Sequence, residues 1–98
     1  MNLELDKYQD YKEKILSGRY ITNESIYKLK KKYNFSIIGK SSNDLPILSL
    51  KLGKGPIKIL IWSQMHGNES TSTKALFDCL PFFDKYDSDI FSKVTLMI

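Results

Sequence analysis

Apolar side chains recur at helical spacing in the first third of the chain. The spacing predicts one helix over 4–16, which Gly18 is placed to end, and a second over 24–33, which Thr22 or Asn23 can cap. Positions three and four residues apart share one face of a helix, so the second helix is expected to bury a single apolar face. That face consists of Ile26, Leu29 and Tyr33.

After residue 34 the hydrophobic period becomes that of β-strands. Residues 35–52 predict a hairpin, because leucines alternate with polar residues over 48–52, which is the pattern of a strand with one buried face. The run 57–62 is apolar except for Lys58, and such a run is typical of a central strand covered on both faces.

A third helix is predicted to begin at one of the hydroxyl residues 70–72. Pro81 lacks an N–H and crowds the preceding turn, so we expect a kink, or a break near Leu80 with one more turn after it. After a polar loop, 94–98 is again strand-like and is expected to pair in parallel with 57–62 across the helix. The buried stripe of this helix is expected to be Ala75, Leu76, Cys79, Leu80 and Phe83.

These elements predict an α/β fold in two parts. Residues 1–34 are expected to form a helical N-terminal extension, and 35–98 to form a hairpin, an inner strand, a helix and a further strand of a mixed sheet. A sheet that stops on an inner strand lacks a closing element. We therefore expect residues 1–98 to be the N-terminal fragment of a longer protein.

Composition and charge narrow the range of partners. The 98 residues make one domain at most, and their net charge is +4. The lysines within 28–32 are the best hint of nucleic-acid binding, but arginine occurs once, at Arg19, and no aromatic residues interleave the lysine face. We therefore expect no nucleic-acid partner. A non-catalytic basic binding module that uses this lysine face is kept as an alternative.

The sequence predicts neither a membrane span nor a secretion signal. Its apolar runs are far shorter than a bilayer crossing needs, and acidic residues stand within 1–7, where a signal peptide has a basic start and an apolar stretch. We expect no membrane partner and a cytoplasmic location. The single cysteine, Cys79, excludes an intrachain disulfide and is interpreted as a small core residue.

Candidate chemistry follows the 57–62 strand directly. His66, the only histidine, precedes Glu69 by three positions at a strand-to-helix junction, where open α/β sheets place their ligands. Imidazole and carboxylate both suit zinc, and a His₂Glu set with an open water position is a catalytic arrangement. If His66 and Glu69 are two of three ligands, the chain belongs to a zinc hydrolase whose third protein ligand lies outside it. The alternative is a polar loop histidine followed by an acid that favours a helix start.

The polar neighbours of this pair also have two interpretations. Gln64 and Asn68 either orient a metal ligand or bond to backbone and water. Gly67 is expected to let the backbone turn so that the histidine and glutamate side chains converge. Trp62 is expected to pack in the core rather than to form a substrate platform.

The segments 39–47, 57–62 and 65–69 together resemble the start of the catalytic domain of zinc carboxypeptidases of the carboxypeptidase A type. The resemblance covers residues 35–98 and implies a mixed sheet between helices, with the metal at the strand ends. It maps the family's first histidine ligand onto His66 and its glutamate ligand onto Glu69. The second histidine ligand, the general base and the substrate-binding arginines have no counterpart here and are expected beyond Ile98. Arg19 lies before the sheet and is assigned none of these roles.

The resemblance implies a zinc metallocarboxypeptidase that hydrolyses C-terminal peptide bonds, with Zn²⁺ as cofactor and a peptide as substrate. The 98-residue piece alone is expected to be inactive and to hold zinc weakly. A related alternative is a zinc amidohydrolase of the aspartoacylase or succinylglutamate desuccinylase type. Those enzymes use a similar His-Gly-Asn-Glu motif on acylated amino acids.

Overall fold

The computed structural model describes residues 7–98. Its strands are β1 (Phe35–Lys40), β2 (Pro46–Gly53), β3 (Ile57–Leu60) and β4 (Val94–Met97). They form one mixed sheet in the order β1-β2-β4-β3, in which β2 pairs antiparallel with both β1 and β4, and β3 pairs in parallel with β4. The predicted α/β class, the hairpin and the parallel strand pair are therefore confirmed.

The helices are α1 (Tyr8–Tyr11), α2 (Asn23–Lys28), α3 (Thr71–Tyr86) and α4 (Ile90–Lys93), with a 3₁₀ turn over Leu29–Lys31 after α2. The predicted cap of α2 is confirmed, because Thr22 Oγ1 accepts a hydrogen bond from Ser25 N at 3.4 Å. α4 is an addition to the predicted elements. Within residues 7–98, no helix combines the length and the apolar character that a bilayer crossing requires.

The first predicted helix, 4–16, begins outside the described residues and is much shorter than expected within them. α1 ends at Tyr11, because Lys12 turns to an extended conformation with ψ 135°. The backbone N–H of Glu13 then donates to the Asp78 carboxylate on α3 at 2.8 Å instead of to a helical carbonyl. A tertiary hydrogen bond thus replaces the hydrogen bond that would have continued the helix. Helical periodicity in the sequence does not indicate that such a tertiary partner is present.

α3 is continuous through Pro81, so of the two expected outcomes the break near Leu80 does not occur, and the kink stays a prediction. Its buried stripe also differs from the prediction. Leu80 is buried as expected, but Cys79 is exposed and is not a core residue. Of the other predicted positions, Ala75 is exposed, while Leu76 and Phe83 are half-buried.

The buried stripe differs because α3 contacts two partners instead of one. Phe77 and Leu80 join the core against the sheet. Phe82 packs instead against Tyr11 of α1, with ring centroids 5.2 Å apart. Because α3 buries two faces, its buried stripe is wider than the single apolar face that helical periodicity predicts. The buried residues of α3 are Thr73, Phe77, Asp78, Leu80 and Phe82.

One hydrophobic core joins the N-terminal segment to the sheet and to α3. The division of the chain into 1–34 and 35–98 stays a prediction, but the two parts bury side chains in common. The buried members of this core are Leu16, Ile21, Leu29, Leu50, Phe77 and Leu80.

β3 stands at an edge of the described sheet. Among residues 7–98 it pairs with β4 alone, and all of its residues are exposed. The core instead lies over β1, β2 and the end of the chain, where Phe35, Leu52 and Ile98 pack against it. The prediction of a central strand covered on both faces is therefore wrong for β3. An apolar run indicates that a strand is suited to burial, but only a neighbouring layer can bury it.

Candidate metal centre

A tight turn between β3 and α3 carries the predicted ligands. Ile61 N donates to Met97 O at 2.8 Å and continues the parallel pairing one residue beyond β3. Farther along, Glu69 N donates to His66 O at 3.0 Å. His66 and Glu69 therefore leave the backbone from the two ends of one turn, at the carboxyl end of a strand. This is the strand-to-helix junction that the sequence predicts.

The two side chains converge on each other. His66 Nδ1 lies 3.1 Å from Glu69 Oε2, and the side chains are 69% and 65% exposed. Two ligand atoms about 2.1 Å from one zinc ion, at the tetrahedral angle, lie roughly 3.4 Å apart. The observed separation is therefore close to that of two atoms that share a zinc ion. The same distance suits a direct hydrogen bond, which is how the pair is arranged in this structure.

The convergence does not depend on glycine. Gly67 has a negative φ, and a Cβ added there would meet no atom within 4 Å. The left-handed residue of the connection is Gln64, with φ 55°, a conformation that side chains other than glycine rarely adopt. The expected role of Gly67 is therefore wrong, and the backbone strain of this segment is at Gln64.

The Gln64 side chain offsets that strain with hydrogen bonds. Its Nε2 donates to Ile21 O at 2.7 Å and to Gly67 O at 2.8 Å, and its Oε1 accepts from Thr73 Oγ1 at 2.9 Å. Thr73 Oγ1 also lies 2.8 Å from Ser63 Oγ. Of its two interpretations, Gln64 fits the one in which it bonds to backbone. It ties the turn that carries the predicted ligands His66 and Glu69, the ligand turn, to the N-terminal segment and to α3, and so sets the position of the histidine.

A cleft of about 720 Å³ lies beside Glu69 at the start of α3, and Asn68 and Arg19 also line it. Arg19 is held there by its carbonyl, which accepts a hydrogen bond from Ser70 Oγ. Ser70 is at the N-cap position of α3, yet its hydroxyl makes this contact and does not cap the helix. Sequence reasoning set Arg19 aside because it precedes the sheet. No pattern in the sequence links two positions so far apart, and only the fold brings Arg19 beside Glu69.

No group of three or more His, Cys, Asp or Glu side chains in residues 7–98 is arranged to hold a metal ion. The expected third ligand stays a prediction. Cys79 is also poorly suited to act as a nucleophile. Partial burial and the neighbouring Asp78 carboxylate raise the pKa of its thiol, so little thiolate is present at neutral pH.

Trp62 follows the last residues of β3, and its side chain is 65% exposed. The expectation that it packs in the core is therefore wrong. The cause is the edge position of β3, because the core packs against β1, β2 and the end of the chain and does not enclose Trp62.

Compared with protein families, with curated proteins and with solved structures, the chain has no match.

Proposed function

We propose that the chain is the first part of the catalytic domain of a zinc-dependent metallocarboxypeptidase, which hydrolyses C-terminal peptide bonds. In this proposal His66 and Glu69 are two of three protein ligands. The supporting observation is the 3.1 Å approach of His66 Nδ1 to Glu69 Oε2 on an exposed turn. An exposed pair of this kind contributes at most about 1 kcal/mol to the stability of the fold. Stabilisation of the fold therefore does not account for the convergence of the two side chains, whereas a role in binding a ligand does.

Each residue around the turn has a separate task in this proposal. His66 supplies a neutral imidazole nitrogen and Glu69 a carboxylate oxygen, which are donors that zinc prefers. When bound, the metal supplies Lewis acidity for a carbonyl group and acidifies a bound water molecule. Glu69 holds the ion and therefore does not serve as the general base. Gln64 keeps the two ligands in place, because it anchors their turn to Ile21 and Thr73.

A zinc titration of the metal-free chain tests the pair, because a single histidine gives a single imidazole in the NMR spectrum. We expect zinc to shift the ring signals of His66, with weak binding that a mild chelator reverses, since two protein ligands are too few for tight binding. Glu69→Ala should weaken this binding by roughly tenfold or more.

Asp89→Ala is the matched control for Glu69→Ala. Asp89 is also an exposed carboxylate in an ion pair on its own segment, with Lys93 Nζ at 3.0 Å. The Asp89→Ala variant should leave the zinc affinity unchanged. The proposal is wrong if zinc leaves the His66 signals unmoved, or if the two carboxylate variants weaken zinc binding equally.

A zinc amidohydrolase of the aspartoacylase or succinylglutamate desuccinylase type is the second candidate. The cleft that Arg19 and Lys74 line beside Glu69 favours it, because acylated aspartate and glutamate carry additional carboxylates that cations attract. The measurement is made on a longer protein that contains this chain. Hydrolysis of N-acyl aspartate or glutamate, without hydrolysis of peptides, would select this candidate over the carboxypeptidase.

The basic binding module stays a third hypothesis. Lys32, the last lysine of 28–32, lies 2.6 Å from the Glu13 carboxylate, so one charge of that face is neutralised within the chain. A salt-sensitive complex with DNA or RNA, lost on charge reversal of the remaining lysines, would support it.

A further inference from the structure

A separate cleft of about 350 Å³ lies at the end of the sheet where β4 begins. We call it the Asp84 cleft, after the acidic residue that lines it. The ligand turn follows β3, which runs parallel to β4, so the cleft and the ligand turn stand at opposite ends of the sheet. The apolar lining of the cleft comes from β2, α3, α4 and the segment before β1, and consists of Tyr33, Leu52, Leu80, Pro81 and Phe91.

The wall that α4 supplies is held closely against the end of β2. Lys54 N donates to Phe91 O at 2.8 Å, and a Cβ added to Gly53 would stand 2.9 Å from the same oxygen. Gly53 also has a φ of 85°, which glycine adopts without strain. The close approach therefore needs a glycine here, and it fixes Phe91 at the cleft without help from a ligand. A preformed apolar cleft of this volume is within the range of small-molecule sites.

Two charged residues line the Asp84 cleft, and they differ in how far their charges are compensated. Lys32 Nζ lies 2.6 Å from the buried Glu13 carboxylate, which neutralises it. Within residues 7–98, by contrast, the exposed Asp84 carboxylate forms no ion pair. The cleft therefore presents a net negative charge, although the whole chain carries a net charge of +4.

The Tyr33 hydroxyl responds to the same negative charge. Burial is the largest cause that raises the pKa of Tyr33 to about 12, and the carboxylates of Glu13 and Asp84 are the further causes. A negative potential that disfavours a phenolate favours a cation at the same place. Aromatic rings beside a carboxylate are also a combination that attracts organic ammonium ions.

We propose that the Asp84 cleft binds a small organic cation, in which a protonated amine is attached to an apolar body about as large as a phenyl ring. The apolar body packs against Leu52, Pro81 and Phe91, and the ammonium group faces the Asp84 carboxylate. Hydrogen bonds between ionised groups are stronger than those between neutral ones, so the amine is the distinguishing part of the ligand. The inference does not rest on the proposed function, because the cleft shares no residue with the His66–Glu69 pair.

Backbone amide NMR of the metal-free chain tests the site with three probes of similar size and different charge. The probes are 2-phenylethylamine, 2-phenylethanol and 3-phenylpropionate. We expect the amine to shift the signals of Leu52 and Phe91 and to saturate, with roughly threefold to fivefold tighter binding than the alcohol, as for a solvent-accessible charge pair. The carboxylate should bind more weakly than the alcohol. The signals of His66 should stay unmoved, because its turn is at the opposite end of the sheet.

Asp84→Asn keeps the shape of the side chain and removes its charge, so the amine should then bind no more tightly than the alcohol. Asp89→Asn is the matched control, since Asp89 is also an exposed acid but lies outside the lining of the cleft. This control should keep the preference for the amine. Asp84→Lys reverses the charge and should make the carboxylate the tightest of the three probes.

Four outcomes overturn the inference. The first two concern the unchanged chain, and they are the lack of a saturating shift with the amine and equal binding of the amine and the alcohol. The third is an equal loss of the amine preference in Asp84→Asn and Asp89→Asn. The fourth is a shift of the His66 signals that saturates together with those of Leu52, which would place the amine outside the cleft.

Discussion

The carboxylates of this chain fall into two groups with opposite relations to solvent. Glu13 and Asp78 are buried, with 2% and 7% of their surface exposed, and they accept hydrogen bonds from other elements of the fold. Glu69 is 65% exposed and pairs with His66 on its own turn. The buried acids hold the N-terminal segment together and attach it to α3. Glu69, by contrast, can release His66 and bind a ligand without exposing any buried group.

The difference follows from the free energy of removing a charge from water. Glu13 Oε2 lies 2.6 Å from Lys32 Nζ, and its Oε1 accepts from Ile15 N at 3.1 Å. Asp78 accepts from Glu13 N and from the Tyr8 hydroxyl. Removing one partner from such a buried group leaves a charge without compensation. An exposed pair stays solvated when the contact breaks, so it contributes little to folding.

The largest expected effect is that of Lys32→Ala. It should lower the free energy of unfolding by about 2 kcal/mol, because Glu13 stays buried without its cation while the Lys32 side chain itself is half exposed. Urea unfolding followed by circular dichroism measures this. Lys31→Ala, at the exposed preceding residue, is the control and should change stability by less than about 0.5 kcal/mol.

A double variant sharpens this prediction. Lys32→Met together with Glu13→Gln removes both charges and should destabilise the fold less than Lys32→Ala alone, since no buried charge is left unpaired. If Lys32→Ala is no more harmful than Lys31→Ala, the buried pair is not what holds the segment.

A smaller effect is expected for Tyr8→Phe, about 1 kcal/mol at neutral pH, from loss of the hydrogen bond to Asp78. That hydrogen bond raises the pKa of Tyr8 to about 12, and burial raises the pKa of Tyr33 to about 12. Because both values lie above the ordinary value of 10.0, this stabilisation is fully present below pH 10 and is lost as the pH rises to about 12.

Urea unfolding between pH 9 and 12 measures the alkaline loss of stability. The wild-type chain should lose more stability over this interval than Tyr8→Phe, which keeps the contribution of Tyr33 but lacks that of Tyr8. Equal losses in the two chains would mean that the Tyr8–Asp78 hydrogen bond does not persist in solution.

The smallest expected effect belongs to the exposed pair. His66→Ala and Glu69→Ala should each change the free energy of unfolding by less than about 0.5 kcal/mol, while both weaken zinc binding. Thermal or urea unfolding of the metal-free variants measures the first part, and the zinc titration measures the second. A loss of stability as large as that of Lys32→Ala would erase the contrast between the two groups and assign the pair a structural role.

Much of the local structure was predictable because it depends on short-range patterns. Alternating leucines predict the hairpin, Thr22 caps α2 as expected, and the turn with His66 and Glu69 stands between β3 and α3 as its sequence indicates. The buried acids were overlooked for the opposite reason. Nothing near Glu13 or Asp78 marks them as buried, since their partners lie far away along the chain.

By itself, the sequence determined the four strands, α2 and α3, and it placed one imidazole and one carboxylate three positions apart at a strand end. The tertiary structure decided which surfaces are covered, because burial needs contacts between distant positions. Glu13 bonds to a residue 65 positions away, and Gln64 to a carbonyl 43 positions away. Such contacts end α1 early, turn a second face of α3 inward and fix the ligand turn, while β3 and Trp62 stay exposed because no layer of the described fold reaches them.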